Sequence, residues 1–391
     1  MKHNLKNLLL PLILSFNLFA SEQVTQSQEK SLELKTKDTI LSVGGRIQLD
    51  SALSSPESAH SAKTIPIGAI VGEDGQSNFS AKNSRLWIKT KTPSEYGVVR
   101  ALIETDFKGI QGSEAKSNGH GIRLRHAYFQ VANWSIGQTN SAFNADTTLD
   151  ILLTAINDTL VRQPLVRYQY ETDSLSYALS FEQPETTLID PYGEIIFPKD
   201  DVVPDIVNRI IYYPKWGQVA LSVMGRYINQ DHAKLSNGVD LNNKDSSYGY
   251  GANFSGKLHL FSLDDIRFAA HYGKGMGRYL AYDAYATGSI SLDGEITLHK
   301  SFGGNIGYRH FWNPNLRTTI AYSYAGTKNN SDSIDNLEKV NKDVHSSQIN
   351  LLWTPIKNSL VGIEYALAKR KVESGEEGET KIINMMIRYD F

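Results

Sequence analysis

The sequence contains no cysteine, which excludes disulfide bridges, thiolate zinc sites and cysteine nucleophiles. Beyond residue 20 it also has no apolar run of about 20 residues, the length that a helix needs to cross a bilayer. This excludes a helical membrane protein but not a β-barrel, because only every second residue of a barrel strand faces lipid. Charge of neither sign dominates, since 40 basic residues stand against 42 acidic ones. A near-neutral balance argues against a nucleic-acid-binding protein.

Residues 1–20 have the layout of a secretory signal peptide. Lys2 and Lys6 form a basic start, residues 8–19 are apolar, and Ala20 occupies the cleavage position. The alternative, an N-terminal membrane anchor, is disfavoured because the apolar part is too short to span a bilayer. We therefore expect an exported protein whose mature form has 38 basic and 42 acidic residues, a net charge of −4.

The last twelve residues, 380–391, have the pattern of a strand between lipid and water. Successive side chains of a strand point to opposite faces. Four apolar residues and the terminal Phe391 fall on one face, whereas the other carries Asn384, Arg388 and Asp390. One apolar and one polar face are typical of a membrane β-barrel. The same pattern also suits the edge strand of a soluble all-β protein, so the rest of the chain must decide.

Alternating segments recur from residue 41 onward and predict sixteen strands, an even number as in single-chain bacterial barrels. The predicted strands are 41–53, 83–92, 97–108, 120–131, 133–138, 162–171, 174–183, 205–213, 217–229, 246–260, 264–275, 296–312, 315–326, 343–354, 358–371 and 379–391. Short connections alternate strictly with long polar ones, which is the layout of periplasmic turns and extracellular loops. We predict an all-β fold, a transmembrane antiparallel β-barrel over 41–391. Residues 21–40 form a short periplasmic extension, either helical or flexible.

Four tryptophans support this orientation. Trp134, Trp216, Trp312 and Trp353 all lie at or beside predicted short turns. Trp and Tyr prefer the membrane–water interface, where one end of the ring system is in lipid and the other in water. Any single one of them would fit an ordinary core. Four at equivalent strand ends predict an aromatic girdle at the periplasmic side.

Several basic residues alternate with apolar neighbours and should face the lumen, because a lipid-facing Arg near the midplane costs about 2–4 kcal/mol. The candidate pore-lining residues are Arg46, Arg85, Lys89, Arg100, Arg123, Arg125, Arg167 and Arg309. Rings of Arg and Lys in a pore favour anions, and a guanidinium binds a carboxylate through two parallel hydrogen bonds. Inward-facing Glu104, Asp106 and Glu364 leave an alternative open, in which these cations are paired across the wall.

The predicted third long loop, residues 139–161, is more apolar than an external loop should be. It contains Leu149 and the run Ile151-Leu152-Leu153. On the surface these side chains would form an exposed apolar patch. We expect the loop to fold into the barrel and to constrict the lumen. A lid and a contact with a neighbouring subunit are the alternatives.

Motifs for catalysis or metal binding are weak. His126 and His310 lie in predicted strands without metal-ligand spacing or an obvious carboxylate partner. The glycines at 249, 251 and 256 lie within a strand rather than at a strand-to-helix turn, so they do not form a phosphate loop. No Ser–His–acid arrangement is evident. We expect no enzyme activity, no cofactor and no metal.

Several short motifs follow one another through the predicted barrel. They are Pro93-Ser94-Glu95-Tyr96-Gly97, Ile103-Glu104-Thr105-Asp106-Phe107, Ile122-Arg123-Leu124-Arg125-His126-Ala127-Tyr128, Ile136-Gly137-Gln138-Thr139-Asn140-Ser141-Ala142-Phe143 and Gly307-Tyr308-Arg309-His310-Phe311-Trp312. In order and spacing they resemble the DcaP-like porin family and, more distantly, the phosphate-selective porins. The resemblance covers most of residues 41–391. The family often has a longer N-terminal coiled-coil segment than residues 21–38 can provide.

This resemblance implies a homotrimeric sixteen-stranded outer-membrane porin that passes small anions such as dicarboxylates past the constricting third loop. Arg123 and Arg125 match the family's basic stretch ahead of that loop. The terminal Phe391 resembles the residue that the outer-membrane assembly machinery recognises. The expected partners are outer-membrane lipid, this machinery, small anionic solutes and further copies of the chain, but no nucleic acid. A plugged barrel serving as adhesin or receptor, a weakly selective general-diffusion porin and a soluble periplasmic β-protein are the alternatives.

Overall fold

The computed structural model describes residues 32–55, 75–110, 118–145, 147–153, 159–261, 263–280 and 284–391. Its strands are β1 (Leu32–Thr36), β2 (Thr39–Ser55), β3 (Gln76–Ser80), β4 (Arg85–Ser94), β5 (Gly97–Asp106), β6 (Arg123–Val131), β7 (Trp134–Asn140), β8 (Arg162–Glu171), β9 (Leu175–Glu182), β10 (Leu188–Ile189), β11 (Ile195–Ile196), β12 (Asp205–Tyr212), β13 (Gly217–Gln230), β14 (Asp245–His259), β15 (Asp265–Lys274), β16 (Gly288–Ile290), β17 (Ile296–Leu298), β18 (Lys300–Asn313), β19 (Leu316–Lys328), β20 (Asn341–Trp353), β21 (Ser359–Val372) and β22 (Glu377–Asp390). Its helical elements are 3₁₀ turns at Gly277–Tyr279, Ser331–Ser333 and Leu337–Lys339. Among these described helices none is long and apolar enough to cross a membrane. The predicted signal peptide, residues 1–20, lies outside the described residues.

Sixteen antiparallel strands close into a barrel, namely β2, β4–β9, β12–β15 and β18–β22. Closure occurs at β2, which pairs with β22 from Arg46↔Asp390 to Ser55↔Lys381 and on its other edge with β4 and β3. The predicted all-β antiparallel barrel of sixteen strands is confirmed. Each predicted strand overlaps an observed one, with boundaries that agree within four residues.

The two faces of the barrel wall differ as the alternation predicts. In β2, Ile47, Leu49 and Leu53 are exposed on the outer face, whereas Gln48 and Ser54 are buried on the inner face. Exposed aliphatic side chains recur on the outer faces of the other strands around the barrel. Such an outer surface is stable against lipid, and the inner face is the polar one, as in a membrane barrel.

The connections at the two ends of the barrel differ in length. Seven connections at one end, the turn end, contain two to five residues, and seven at the other, the loop end, contain 12 to 29. The eighth loop-end connection, residues 373–376, is also short, so the predicted strict alternation is wrong for the last hairpin. We number the loop-end connections from 1 to 8. Loop 3 spans residues 141–161, loop 4 spans 183–204 and loop 6 spans 275–299.

The predicted tryptophan girdle lies at the turn end. Trp134 begins β7, Trp216 immediately precedes β13, and Trp312 and Trp353 lie at the ends of β18 and β20. The exposed fraction is 45% for Trp134, 51% for Trp216 and 62% for Trp312. Amphipathic indole rings at one level of a mostly apolar outer surface mark a membrane–water interface.

Loops 4 to 7 pack against one another at the loop end. The strands β10 and β11 of loop 4 join β16 and β17 of loop 6 in a four-stranded sheet, in which β10 and β16 run parallel. One apolar cluster contains Leu188, Ile196, Ala233, Leu235, Leu241 and Ile290, and a second contains Ile189, Ala286, Ile334 and Val340. Because each cluster combines side chains from three loops, these loops form one packed cap.

The described part of the N-terminal extension is a strand. β1 pairs with the first section of β2, from Leu32↔Val43 to Thr36↔Thr39. The chain ends opposite Gly45, where the backbone N–H and C=O of Phe391 each form a 2.9 Å hydrogen bond with Gly45. β1 therefore continues along the edge of β2 beyond the C-terminus and covers backbone groups that an open edge would leave unpaired. The expectation of a helical or flexible lead-in is wrong for residues 32–36.

Candidate functional site in the barrel lumen

Five neighbouring strands, β22, β2, β4, β5 and β6, carry excess positive charge on their inner faces. The basic residues are Arg46, Arg85, Lys89, Lys91, Arg100, Arg123, Arg125 and Arg388, and the acidic ones are Asp50, Glu104, Asp106 and Asp390. Eight cations and four carboxylates give this surface, the basic wall, a net charge of +4. Because basic side chains inside a pore favour anions, the basic wall is the candidate site.

Two carboxylates neutralise the part of the basic wall nearer the loop end. Glu104 accepts hydrogen bonds from Arg125 at 2.6 Å and from Arg85 at 3.3 Å. Asp106 accepts from Arg123 at 2.6 Å and from Arg125 at 2.9 Å. The β5–β6 register shifts after Glu104, and this bulge brings Arg125 within reach of both carboxylates. For these three arginines, pairing across the wall is the observed arrangement.

Nearer the turn end the basic wall carries cations without carboxylate partners. Lys89, Lys91 and Arg100 are exposed, and none of them forms an ion pair with another described residue. Lys91 and Arg100 lie directly opposite each other in the β4–β5 pairing. Like charges at directly opposite positions repel, so this pair raises the local positive potential. The Lys89 ammonium lies 5.7 Å from the centre of the Trp87 ring, within the range of a cation–π contact.

The remaining predicted pore residues have three different environments. Arg46 donates to Asp390 at 2.8 Å across the closing seam. Arg167 is only 8% exposed and donates to the backbone carbonyl of Asn140. Arg309 lies on β18, outside the basic wall, and pairs with Asp265 and with Asp150 of loop 3. Of the eight predicted residues, Lys89 and Arg100 are therefore the exposed cations without a described carboxylate partner.

Loop 3 follows the inner face of the barrel across several strands. Hydrogen bonds join Ala142 to Ser222, Thr147 to Gly256, Thr148 to Arg267, Asp150 to Arg309, Arg317 and Asn350, and Leu152 and Leu153 to Glu364. These partners belong to β13, β14, β15, β18, β19, β20 and β21, and all of them except Gly256, which contributes its backbone carbonyl, have inward-facing side chains. The described part of loop 3 therefore lies inside the barrel.

Asp150 is the charged contact of loop 3 with the wall. It accepts hydrogen bonds from Arg317 at 2.6 Å and from Arg309 at 3.0 Å. Burial raises the pKa of Asp150, but the hydrogen bonds and charges of Arg317 and Arg309 outweigh burial and hold the pKa below its usual value. The loop is thus anchored by an ionised carboxylate at neutral pH.

Loop 6 also enters the barrel, which was not predicted from the sequence. Met276, Tyr279 and Leu280 are fully buried in one cluster with Phe143 of loop 3 and with inward side chains of the wall. The Tyr279 hydroxyl donates to Asp205 at 2.9 Å. Burial raises the pKa of Tyr279 well above its usual value, and the nearby carboxylates add to this effect. Residues 276–285 have the same kind of apolar composition that predicted the inward course of loop 3. This composition could have predicted that loop 6 enters the barrel as well.

The turn end contains a polar cluster on the outer surface. His310, described above as lacking a carboxylate partner, is 2.8 Å from Asp264, so that expectation is wrong. Hydrogen bonds from Tyr308 and His310 lower the pKa of Asp264 to about 2. His310 also contacts the ring of Trp312 at a centroid distance of 4.6 Å. The cluster belongs to the outer girdle rather than to the lumen.

In the part of the chain that the structure describes, no group of three or more His, Cys, Asp or Glu side chains has the arrangement to hold a metal ion. The cations of the basic wall without a described carboxylate partner, Lys89, Lys91 and Arg100, are exposed rather than enclosed in a pocket. Such a surface can attract, orient and release an ion, which is the chemistry of permeation.

A family model described as a porin subfamily matches residues 37–385. No curated protein sequence matches the chain. Among solved structures, the outer membrane channel DcaP of Acinetobacter baumannii is similar over 92% of this chain and 99% of that chain, with a TM-score of 0.75 and 22% identity.

Two further solved structures share the fold. The anion-selective porin from Comamonas acidovorans has a TM-score of 0.57 and 11% identity, covering 90% of this chain and 100% of that one. The trimer form of OmpT from Vibrio cholerae has a TM-score of 0.56 and 10% identity over the same shares. The predicted resemblance to DcaP-like porins is thus confirmed for the fold. Because the family model covers most of the sequence, the chain belongs to this porin subfamily.

Proposed function

We propose that the protein is an outer-membrane porin through which small hydrophilic solutes diffuse passively, with a preference for anions such as dicarboxylates. The basic wall, with its net charge of +4, is the observation that carries this proposal. Fixed positive charge in a narrow aqueous path raises the local concentration of anions. The protein shares its fold with a porin described as anion-selective, which also supports a preference for anions.

The solute path runs along the basic wall. Loop 3 and loop 6 fill part of the lumen beside the other strands, and their buried cluster includes Phe143 and Tyr279. Loop 3 forms the constriction. Beyond it, Lys91 and Arg100 are suited to the two charges of a dicarboxylate, because a guanidinium fork binds one carboxylate and an ammonium attracts the other.

The membrane orientation follows from the ends of the barrel. The turn end faces the periplasm and the loop end faces outward, as short turns and long loops do in bacterial barrels. Residues 1–20 direct export. Phe391, whose ring is exposed on the outer face, is the residue through which the assembly machinery recognises the barrel.

The functional unit is a homotrimer. Support comes from the OmpT structure of the same fold, which is described as a trimer form. A trimer of independent pores would produce conductance steps in multiples of three. Single-step insertions only would contradict this part of the proposal without affecting the pore itself.

The test of the proposed function is the reversal potential of the purified protein in planar bilayers under a potassium chloride gradient. We expect anion selectivity for the wild type. Substituting Lys89→Gln, Lys91→Gln and Arg100→Gln together lowers the charge of the basic wall from +4 to +1 and should move the chloride-to-potassium permeability ratio at least about twofold towards unity.

A matched control is Lys215→Gln, which removes an equally exposed lysine from a turn outside the lumen. Its reversal potential should equal that of the wild type. Cation selectivity of the wild type, or a triple variant with an unchanged reversal potential, would contradict the proposal.

A plugged barrel that serves as a receptor is the second candidate. The cap of loops 4 to 7 and the burial of loop 6 inside the barrel favour it. A purified protein that inserts into bilayers but carries no current would support this candidate over the porin.

A further inference from the structure

Glu364 is a buried carboxylate without a cationic partner. It lies in β21, faces inward and is 1% exposed. Among the described residues, neither Lys nor Arg forms an ion pair with it. An uncompensated buried charge is costly, so hydrogen-bond donors must stabilise it.

The donors that stabilise Glu364 come first of all from loop 3. The backbone N–H of Leu152 donates to Oε2 at 2.8 Å, and the backbone N–H of Leu153 donates to Oε1 at 2.8 Å. Each carboxylate oxygen thus accepts one of two consecutive amides. Hydrogen bonds to an ionised acceptor are about twice as strong as neutral ones.

Two neighbouring amide side chains complete this clamp. Asn350, directly opposite Glu364 in the β20–β21 pairing, donates to the carbonyl of Asp150 at 2.8 Å. Gln348 donates to the carbonyl of Leu153 at 3.1 Å. The wall therefore supplies acceptors for the loop's N–H groups and donors for its carbonyls.

Apolar contacts hold the loop on both sides of the clamp. Leu152 packs against the buried cluster of Leu352, Leu360 and Met386, and Leu153 packs against Ala52, Ala366 and Ile382. A β-carbon at position 362 would lie 3.1 Å from the end of the Leu152 side chain, so Gly362 leaves the space that this leucine occupies.

From this geometry we propose that Glu364 is the positioning residue of the constriction. Its carboxylate fixes the tip of loop 3 against β20 and β21 and so keeps the solute path along the basic wall open. This inference rests on the proposed porin function. Without the carboxylate, two partly buried N–H groups lose their acceptor, which favours departure of the loop tip from the wall and into the path.

The test combines amide hydrogen exchange with single-channel recording of the full-length protein. Glu364→Gln keeps the size of the side chain but replaces one of the two acceptor oxygens by an NH2 group, so one of the two backbone amides faces a donor instead of an acceptor. We expect the amides of Leu152 and Leu153 to exchange about tenfold faster or more, the change that follows from losing one charge-assisted hydrogen bond. Brief closures should interrupt the unitary current more often than in the wild type.

Two variants sharpen this test. Glu364→Asp keeps the charge but shortens the side chain. Because the clamp depends on the distance between the carboxylate and the two amides, we expect an exchange rate between those of the wild type and Glu364→Gln. Glu379→Gln is the matched control, because Glu379 pairs with Lys369 on β21 and contacts no described residue of loop 3. Heat-modifiable mobility on gels verifies that each barrel is folded.

The outcomes distinguish between the clamp at Glu364, its role in positioning the loop, and the porin function on which the inference rests. Unchanged exchange in Glu364→Gln would refute the clamp. Faster exchange with an unchanged current record would refute the positioning role. A wild type without any current would refute the porin function, while the exchange rates would still decide whether the clamp exists.

Discussion

The closing seam of the barrel depends on two adjacent glycines. A β-carbon on Gly45 would overlap the ring of Phe391, and one on Gly44 would overlap the indole of Trp87. Neither glycine has a positive φ, so they provide space rather than a special backbone conformation. The seam is closed by one aromatic ring on each face of β2, each packed on a position without a side chain.

Gly45→Val should therefore destabilise the barrel. Overpacking typically costs about 1–3 kcal/mol, and here the obstructed residue is the last one of the chain. Thermal unfolding, followed by the mobility shift of heated samples on gels, measures the effect. Gly225→Val is the control, because nothing lies within 4 Å of a β-carbon at that position. Equal midpoints for the two variants would show that the seam tolerates the larger side chain.

The strands were predictable because lipid on one face and water on the other impose an alternation of apolar and polar side chains, with a period of two residues, on each of them. The exceptions arise where contacts between distant parts of the chain override this local pattern. The bulge at Arg125 and His126 breaks the alternation in β6, where Arg125 bonds both Glu104 and Asp106. The inward course of loop 6 depends on Phe143 and on the wall, neither of which is its neighbour in sequence.

Loop 3 should remain anchored by Asp150 from neutral pH down to about pH 4. Arg317 and Arg309 give Asp150 a lower pKa in the folded protein than in the unfolded one. Such a group stabilises the fold fully above its unfolded pKa, about 4 for Asp, and this contribution is lost as the pH falls through the lower folded pKa. We therefore expect the current interruptions that arise from release of the Asp150 anchor to increase only below about pH 4.

Asp150→Asn should show these interruptions already at pH 7, because an amide cannot replace the ionised acceptor of two guanidinium groups. Recordings across a pH series measure the difference. Asp231→Asn serves as the control, since it breaks an exposed ion pair with Lys244 in loop 5. If Asp150→Asn behaved like this control at neutral pH, the arginine contacts would not hold the loop.

The candidate site exists only at the scale of the whole molecule. Barrel closure brings Arg46 and Asp390 together although they are 344 residues apart in the sequence. Alternation identified which cations face inward, but the pairing of each one depends on strand register and on the bulge. For this reason Lys89 and Arg125 were equal candidates in the sequence. In the structure Lys89 is exposed, whereas Arg125 is paired with two carboxylates.

The selectivity of the whole pore should therefore depend on ionic strength. The unpaired charges of the basic wall act through water, and salt screens them over about 10 Å at 0.1 M but about 3 Å at 1 M. Reversal potentials at a fixed concentration ratio should show a chloride preference at low salt that approaches unity at high salt. The triple variant of Lys89, Lys91 and Arg100 should show a weaker dependence, because the paired arginines keep their carboxylates at every salt concentration. A preference that stays constant from 0.1 M to 1 M would instead place selectivity in the proposed constriction beside loop 3, where too few ions fit at one time to screen the charges of the wall.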